Sequence, residues 1–524
     1  MTRSDSLAAD LRAALGADAV LDDDASRSFY ANDIFWQPGI RPCAIVLPAN
    51  DAEAAAAVRL AAAADAAIVP RGGGMSYTKG YLPPREHAVV FDMRRMNAVR
   101  AVRPEDGYVT VEAGCTWAAL AGALAGSGMR TPYWGPLSGV NATVGGALSQ
   151  NSAFFGSARH GTVAESVLGV SAVLADGSIV TTGSGGRSGT TPFTREGGPD
   201  LTGLFLGDNG AFGLKLAATL RLIPEPAAMD FLSFGFPTIQ AMAAAQVELA
   251  RARLVAEGFG IDRTKAEHSA SVNRISEGLQ ILGQVAAAGR GLLGGVRDAL
   301  SVAAAGTGFL KDHAFTLHLV IERDDAEALA GAMAAARSIG ARHGTEIDNA
   351  VPRVMRARPF GPVRGMLGRN GERWVPIHAV FPLSTARAVL DANDAFFAGQ
   401  RATMQRHGIV YSVMTMTTGS EFFLEPAFYW MDEITPLHAR SLGEDVVRPW
   451  RDRPADPAAR HAVATLRAET QALYARLGGV SWQVARDYPF QDLLLPGTRD
   501  LLAATKRAVD PRGLMNPGAL GLGG

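Results

Sequence analysis

Between residues 44 and 112 the chain alternates short apolar runs with helix-forming stretches. Ala44–Leu47 is four apolar residues closed by Pro48, the size of a buried strand. Asn50 or Asp51 caps the next stretch, AEAAAAVRLAAAADA, whose alanines predict a helix. AIVPRGGG then reads as a strand running into a glycine loop, and AVVFDM and YVTVEAG are further β-branched strands. This strand–helix–strand rhythm predicts α/β organisation. A second cluster, 167–182, predicts two strands joined at Asp176-Gly177. The run AFGLKLAATLRLIPEP ends at Pro224-Glu225-Pro226, which marks a domain exit.

From about residue 227 the pattern changes. Phe231–Phe236, Phe315–Glu322, Trp374–Phe381 and Tyr411–Thr417 are strand-like, with alanine-rich helices at 239–256, 325–343 and 385–407. Two such β-α-β repeats predict an antiparallel sheet backed by helices. The most apolar stretch, Ile281–Leu310, is broken by Arg290, Arg297 and Asp298 and predicts a packed helical hairpin. A helix resumes near residue 462, and the last helix halts at Asp510-Pro511.

Composition narrows the function. The 524 residues hold 50 basic and 51 acidic side chains, a net charge of −1, so a nucleic-acid partner is not expected. No run of 18 uncharged apolar residues predicts a membrane span. The N-terminus carries acids and predicts an amphipathic helix opening at Ser4 or Asp5, not a secretory signal. Two cysteines, Cys43 and Cys115, fit a reducing, cytoplasmic setting. The 59 glycines, roughly 11% of the chain against a usual ~7%, call for places where backbone passes close to something.

Two glycine-rich segments supply those places. Pro70-Arg-Gly-Gly-Gly-Met-Ser-Tyr77 follows an apolar strand and can expose successive N–H groups to a pyrophosphate. It is neither a dinucleotide fingerprint nor a Walker loop. Residues 135–149 (GPLSGVNATVGGALS) and 156–161 (GSARHG) repeat this bland character and suit a groove for a flat, hydrogen-bonding cofactor.

With DAEAAAAVRLAAAADAAIVPRGGGMSY, VTVEAGCTWAALAGAL, ATVGGALSQNS, RHGTVAESVLGVSAVLADGSIVTTG, LFLGDNGAFGLKLAATLRLIPEP and KRAVDPRGLMNPGAL in this order, the chain resembles the flavoproteins grouped with vanillyl-alcohol oxidase and p-cresol methylhydroxylase. The resemblance implies an α+β chain: a split PCMH-type FAD-binding domain of two α/β subdomains, plus an α+β cap with an antiparallel sheet. The expected division is 1–226, a cap at 227–465, and a return to the FAD domain at 466–524. The resemblance also implies roles for single residues. Gly72, Gly73, Gly74 and Ser76 would wrap the pyrophosphate, with Arg71 and Met75 in the same loop. Pro136, Thr143, Val144, Gly146 and Ser149 would line the ribityl and adenine path, with Leu137 beside them. Gly161 and Val167 would close on the nucleotide, and Asn516 would lie near the isoalloxazine.

Departures from the family pattern direct the chemistry. Members with flavin attached through the glycine loop carry His where Met75 stands, and the cap stretch Gly419–Pro426 has neither His nor Tyr, so non-covalent FAD is expected. Tyr411 and Tyr429 keep a covalent link open. The hydroxy-acid branch carries a histidine-rich metal motif, whereas here His313 and His318 are five apart in a strand-like segment, a poor metal pair, so no metal is expected. The phenol-oxidising branch has a tyrosine where Tyr77 stands; it could hydrogen-bond a phenolic oxygen. The acid of that branch falls near Leu137 and is missing. Arg486 and Tyr488 are candidates to replace its C-terminal pair, and His378 and Glu425, on cap strands, are candidate bases. The expected activity is hydride transfer from a small organic substrate, of phenolic or aryl-alcohol type, to FAD. A D-2-hydroxy-acid dehydrogenase is the alternative, with the arginines of the 353–373 loop holding a carboxylate. A flavin-binding protein without redox chemistry is the third reading. The electron acceptor is open, and a homodimer is allowed.

Overall fold

The computed structural model of the chain describes residues 3–269, 312–361 and 363–523. The hairpin expected at Ile281–Leu310 lies outside the described residues. The chain divides into two compact units. The first joins Met1–Ala153, Thr162–Glu225 and Trp482–Gly524; the second joins Phe154–Gly161 and Pro226–Ser481. Residues 466–481 therefore belong to the second unit and not to the C-terminal return. The reason is continuity of one helix, Pro457–Arg476, whose Tyr474 is locked into the second unit's core.

The first unit contains two sheets. In one, Ala44–Val46 (β2), Ala67–Arg71 (β3) and Ala88–Asp92 (β4) run parallel, with Val20–Leu21 (β1) antiparallel on the edge, in the order β1-β2-β4-β3. The crossover helix Asp51–Ala63 is capped by the Asn50 side chain, which accepts from the Glu53 amide at 2.9 Å. Its alanines let it lie close on the sheet: Ala54, Ala57, Val58 and Ala61 are buried against Ala44, Val46 and Ile68. The C-terminal tail extends this sheet, the Ile68 amide donating to Leu514 O and the Asn516 amide to Ile68 O, both at 2.8 Å. Lys506 fixes the tail through Asp510 at 2.6 Å and the Met515 carbonyl at 2.8 Å. The second sheet is antiparallel, with Val99–Arg103 (β5), Tyr108–Glu112 (β6), Leu214–Arg221 (β10), Val167–Val173 (β8) and Ile179–Thr181 (β9) in that spatial order. Met129–Arg130 (β7) and Ile223–Pro224 (β11) form a small ribbon. The β8–β9 turn lies at Asp176-Gly177 as expected, with Gly177 at φ +81°.

The second unit is built on one antiparallel sheet. Its order is Thr345–Ile347 (β15), Ala228–Phe236 (β12), Phe315–Arg323 (β14), Glu257–Asp262 (β13), Val410–Thr418 (β18), Glu421–Trp430 (β19), Arg373–Pro376 (β16). Ala379–Pro382 (β17) also pairs with β19. Helices Ile239–Arg251, Ala326–His343 and Ala386–Gly399 cover one face, burying Phe234, Phe236, Leu317, Leu319, Ile321, Val413, Phe422 and Leu424. Strand β13 was not legible in the sequence because its helix-facing positions are glycines. A Cβ on Gly260 would stand 2.6 Å from Met242 Sδ, so the helix presses where an apolar marker would otherwise be. The architecture is the expected α+β one.

Candidate functional site

In the first unit the β3 strand ends at Arg71, and the chain turns through Gly72, Gly73 and Gly74. Side chains at the first two have no room. A Cβ on Gly72 would lie 2.2 Å from Thr143 Oγ1, and one on Gly73 only 1.8 Å from Asn141 O. Gly74 is at φ +74°. The two glycine-rich segments of the sequence are thus pressed together, backbone against backbone. Among the described residues, the N–H groups of Gly72, Gly73, Gly74, Met75 and Ser76 donate to no protein acceptor. Five successive free donors after a strand form a concave anion site.

Beneath this loop lies Arg71, 3% exposed. Its guanidinium carbon is 4.5 Å from the ring centre of Tyr81, 4.7 Å from Tyr30 and 5.2 Å from Phe29. Nε and Nη1 have no hydrogen-bond partner. The nearby carboxylate, Asp92, is taken by Arg94 and by the Tyr30 hydroxyl. A buried cation without a counter-ion is costly, and a pyrophosphate on the loop above would supply the missing charge. The cradle therefore fits FAD, and when bound FAD supplies the hydride acceptor.

The other expected cofactor residues are more varied. Thr143 caps the helix Val144–Gln150 through Gly146 N at 3.2 Å, and the Val144 amide donates to Cys115 O at 2.8 Å. Ser149 Oγ accepts from Lys215 Nζ at 2.9 Å, which also pairs with Asp208. Pro136 O closes a turn to Gly139 N at 2.9 Å, and Leu137 is exposed. Val167 is buried at the start of β8, whereas Gly161, at φ +78°, belongs to the second unit.

Asn516 and Arg486 form a clamp. Asn516 Nδ2 donates to Gly80 O at 2.8 Å and to Asn209 O, and its Oδ1 accepts from Arg486 Nη2. Arg486 also donates to Pro517 O, Lys79 O and Leu82 O at 2.6–2.8 Å. Burial lowers its pKa to about 10. These two side chains, expected near the isoalloxazine and in catalysis, tie the tail to the 79–82 loop. Tyr77 and Tyr488 are both buried in the same unit.

In the second unit the sheet face opposite the helices carries chemistry. The ladder places Ser233, His318, Phe259, Met416 and Phe423 in one row across five strands. The His378 ring stacks on Phe423, with centres 5.3 Å apart at 20°. One row along stand Ile261, Met414 and Glu425. The structure thus brings the two candidate bases onto one face. Glu425 makes no hydrogen bond or ion pair among the described residues, and burial raises its pKa to about 7 against a small opposing effect of Lys265. Burial, then the charge of Arg467, lowers His378 to about 3. His378 is therefore a neutral imidazole and the weaker base.

A small pocket of about 20 Å³ opens on this face, lined by Phe154, Phe155, Phe259, His318, Met355 and Met416 among others. His318 has a hydroxyl on each ring nitrogen, Ser233 Oγ at 2.9 Å and Thr316 Oγ1 at 3.0 Å. Glu257, also in the lining, takes Arg356 Nη1 at 2.6 Å, and Arg356 Nη2 reaches Glu322 at 3.0 Å. Arg353 is held by Asn349 at 2.8 Å and Asp230 at 3.5 Å, and the buried Arg373 by Asp432 at 3.6 Å. Three arginines expected to greet a carboxylate are thus spent inside the unit. Sequence reading missed this pocket, although the pair Phe154-Phe155 inside an otherwise small-residue stretch was its trace. Among the described residues no three metal-ligating side chains gather.

Residues 42–183 match the family described as FAD binding domain. The chain is 32% identical over 212 residues to a probable mitochondrial D-lactate dehydrogenase of Danio rerio, covering 40% of this chain and 41% of that protein. It is 28% identical over 234 residues to glycolate oxidase subunit GlcD of Bacillus subtilis, covering 45% and 48%. The chain thus spans less than half the length of these curated relatives. The fold is similar to that of p-cresol methylhydroxylase with substrate bound, at a TM-score of 0.75 and 17% identity, over 99% of this chain and 97% of that one. The chain carries an FAD-binding domain, and FAD is its cofactor. No helix among the described residues is long and apolar enough to cross a membrane.

Proposed function

We propose that the chain is an FAD-dependent oxidoreductase that takes a hydride from a small phenolic or aryl-alcohol substrate. The observation that carries this reading is the chemistry of the side chains on the helix-free face of the second unit. They are largely aromatic and thioether, and among the described residues the pocket lining includes no lysine or arginine. Arg356 is paired with both Glu257 and Glu322 at that corner, and an aromatic and thioether lining suits a neutral ring. Glu425 accepts the proton that leaves as the hydride departs, since a carboxyl with a pKa near 7 is matched to that task. Tyr77 stabilises the developing phenolate by donating a hydrogen bond. A cytoplasmic location, from the two buried free cysteines, belongs to the same reading.

The D-lactate and glycolate relatives support a second reading, a D-2-hydroxy-acid dehydrogenase. Anaerobic mixing of the FAD-loaded protein with substrates separates the two. Bleaching of the flavin band by 4-alkylphenols or aryl alcohols is the expected result. Bleaching by D-lactate or glycolate and not by phenols would replace the first reading with the second, and no bleaching by any of them would leave a non-redox flavoprotein.

A further inference from the structure

The second unit holds another concavity, a cleft of about 590 Å³ that shares no lining residue with the aromatic pocket. It is formed at the β18–β19 turn by Thr417, Gly419 and Ser420, by the segment 158–160, and by the end of the helix Ile239–Arg251 with the turn after it. Its wall carries Arg159, Arg251 and Arg253 and no acid. In a chain with 50 bases and 51 acids this is a sharp local imbalance.

Other arginines of the same unit do find carboxylates: Arg337 pairs with Glu346, Arg342 with Glu248 and Arg460 with Asp432. In the cleft they do not. Among the described residues the side chains of Arg251 and Arg253 make no hydrogen bond or ion pair, and the Arg159 guanidinium donates only to the Glu322 carbonyl at 3.1 Å. The charge is felt nearby: burial, then the Arg159 guanidinium, lowers the pKa of Arg323. Arg253 stands at φ +52°, in the left-handed region, held there by bonds from its own amide to Ala250 O at 2.9 Å and from Leu254 N to Leu249 O at 3.3 Å. The floor is apolar, with Leu249, Ala250, Val255 and Leu383.

We propose that this cleft binds a small organic polyanion, a phosphate ester or polycarboxylate with an apolar body, at a site separate from that of the oxidised substrate. Planar guanidinium forks match phosphate and carboxylate oxygens in pairs. Three of them around an apolar floor favour a ligand that carries at least two negative charges and buries some carbon.

The test uses the FAD-loaded protein, so that the cofactor's own anion site is filled. Inorganic pyrophosphate and citrate are titrated separately by calorimetry at low salt. Saturable binding of either is expected, weakening as salt rises. Pyrophosphate alone points to a phosphate ester, and citrate alone to a polycarboxylate. The double variant Arg251→Glu, Arg253→Glu is expected to weaken binding by about tenfold or more, with the flavin spectrum unchanged. Arg159→Gln, on another segment, is expected to weaken it independently. Absence of binding for both probes, or undiminished binding in all these variants, would overturn the proposal.

Discussion

The guanidinium of Arg71 lies 4.5 Å from the ring centre of Tyr81, and the Tyr81 hydroxyl donates to Gly74 O at 2.7 Å and Ser76 O at 3.0 Å. One tyrosine therefore both roofs a buried cation and staples the two ends of the loop that must hold the pyrophosphate. Arg71→Met removes the charge and keeps the bulk. It is expected to weaken FAD binding by about ten- to a hundredfold, a loss of roughly 1.5–3 kcal/mol for a charge-assisted contact. The thermal midpoint of the apoprotein should not fall, because no partner is left unpaired. A fluorescence titration of apoprotein with FAD measures the first and a melting scan the second. An unchanged affinity would make Arg71 a packing residue only.

Non-covalent flavin is the expectation from the side-chain chemistry of Met75, Tyr411 and Tyr429. Met75 in the loop has no nitrogen or phenol to bond the ring. Tyr411 is turned to the helix side, its hydroxyl receiving Asn393 Nδ2 at 2.9 Å, and the Tyr429 ring lies tilted by 30° against His268 with ring centres 4.4 Å apart. Acid precipitation should leave yellow FAD in the supernatant; colour retained in the pellet would contradict this.

Tyr77→Phe tests the phenolate role. If Tyr77 donates to the developing oxyanion, anaerobic flavin reduction should slow by ~10²-fold or more while FAD affinity stays constant. An equal rate would remove Tyr77 from the mechanism.

Glu425 gives a pH signature with two readouts. Its pKa is raised from the ordinary carboxyl value to about 7 by burial. Between those values the folded state holds a proton that the unfolded state has released, so stability falls as pH rises through this window. The Glu425→Gln variant should lose that slope, and the difference between wild type and variant isolates it from Asp33 and Asp262, both raised to about 6. Flavin reduction in the wild type should accelerate with an inflection near pH 7 as the carboxylate forms. The variant should be slower and flat there. Persistence of the inflection in Glu425→Gln would assign the proton to another group.

The glycine cradle was legible in the sequence because glycine marks backbone by what it lacks. Gly72 and Gly73 are required where Thr143 and Asn141 press in. The strands of the first unit were legible for the same local reason: Ala44–Val46 and Val167–Val173 are apolar runs bounded by turns. The clamp of Arg486 and Asn516 was not legible because hydrogen-bond partners in residues 79–82 and 209 lie 307 to 436 positions away. Nothing near either residue announces a clamp. The arginines of 353–373 looked available for the same reason, since Glu257, Glu322 and Asp432 meet them only through the sheet.

The sequence by itself therefore determined the class of fold and the cofactor. Both rest on local signals: periodicity, helix caps, and glycines where a backbone must approach a dinucleotide. The tertiary structure alone decided which side chains are free to act. Strand register set His378 and Glu425 on one face with Phe259 and His318, and packing left Glu425 without a partner while giving Arg356 two. A partner is a matter of position in space, and the charge that remains after pairing, not the charge in the composition, is what a substrate meets.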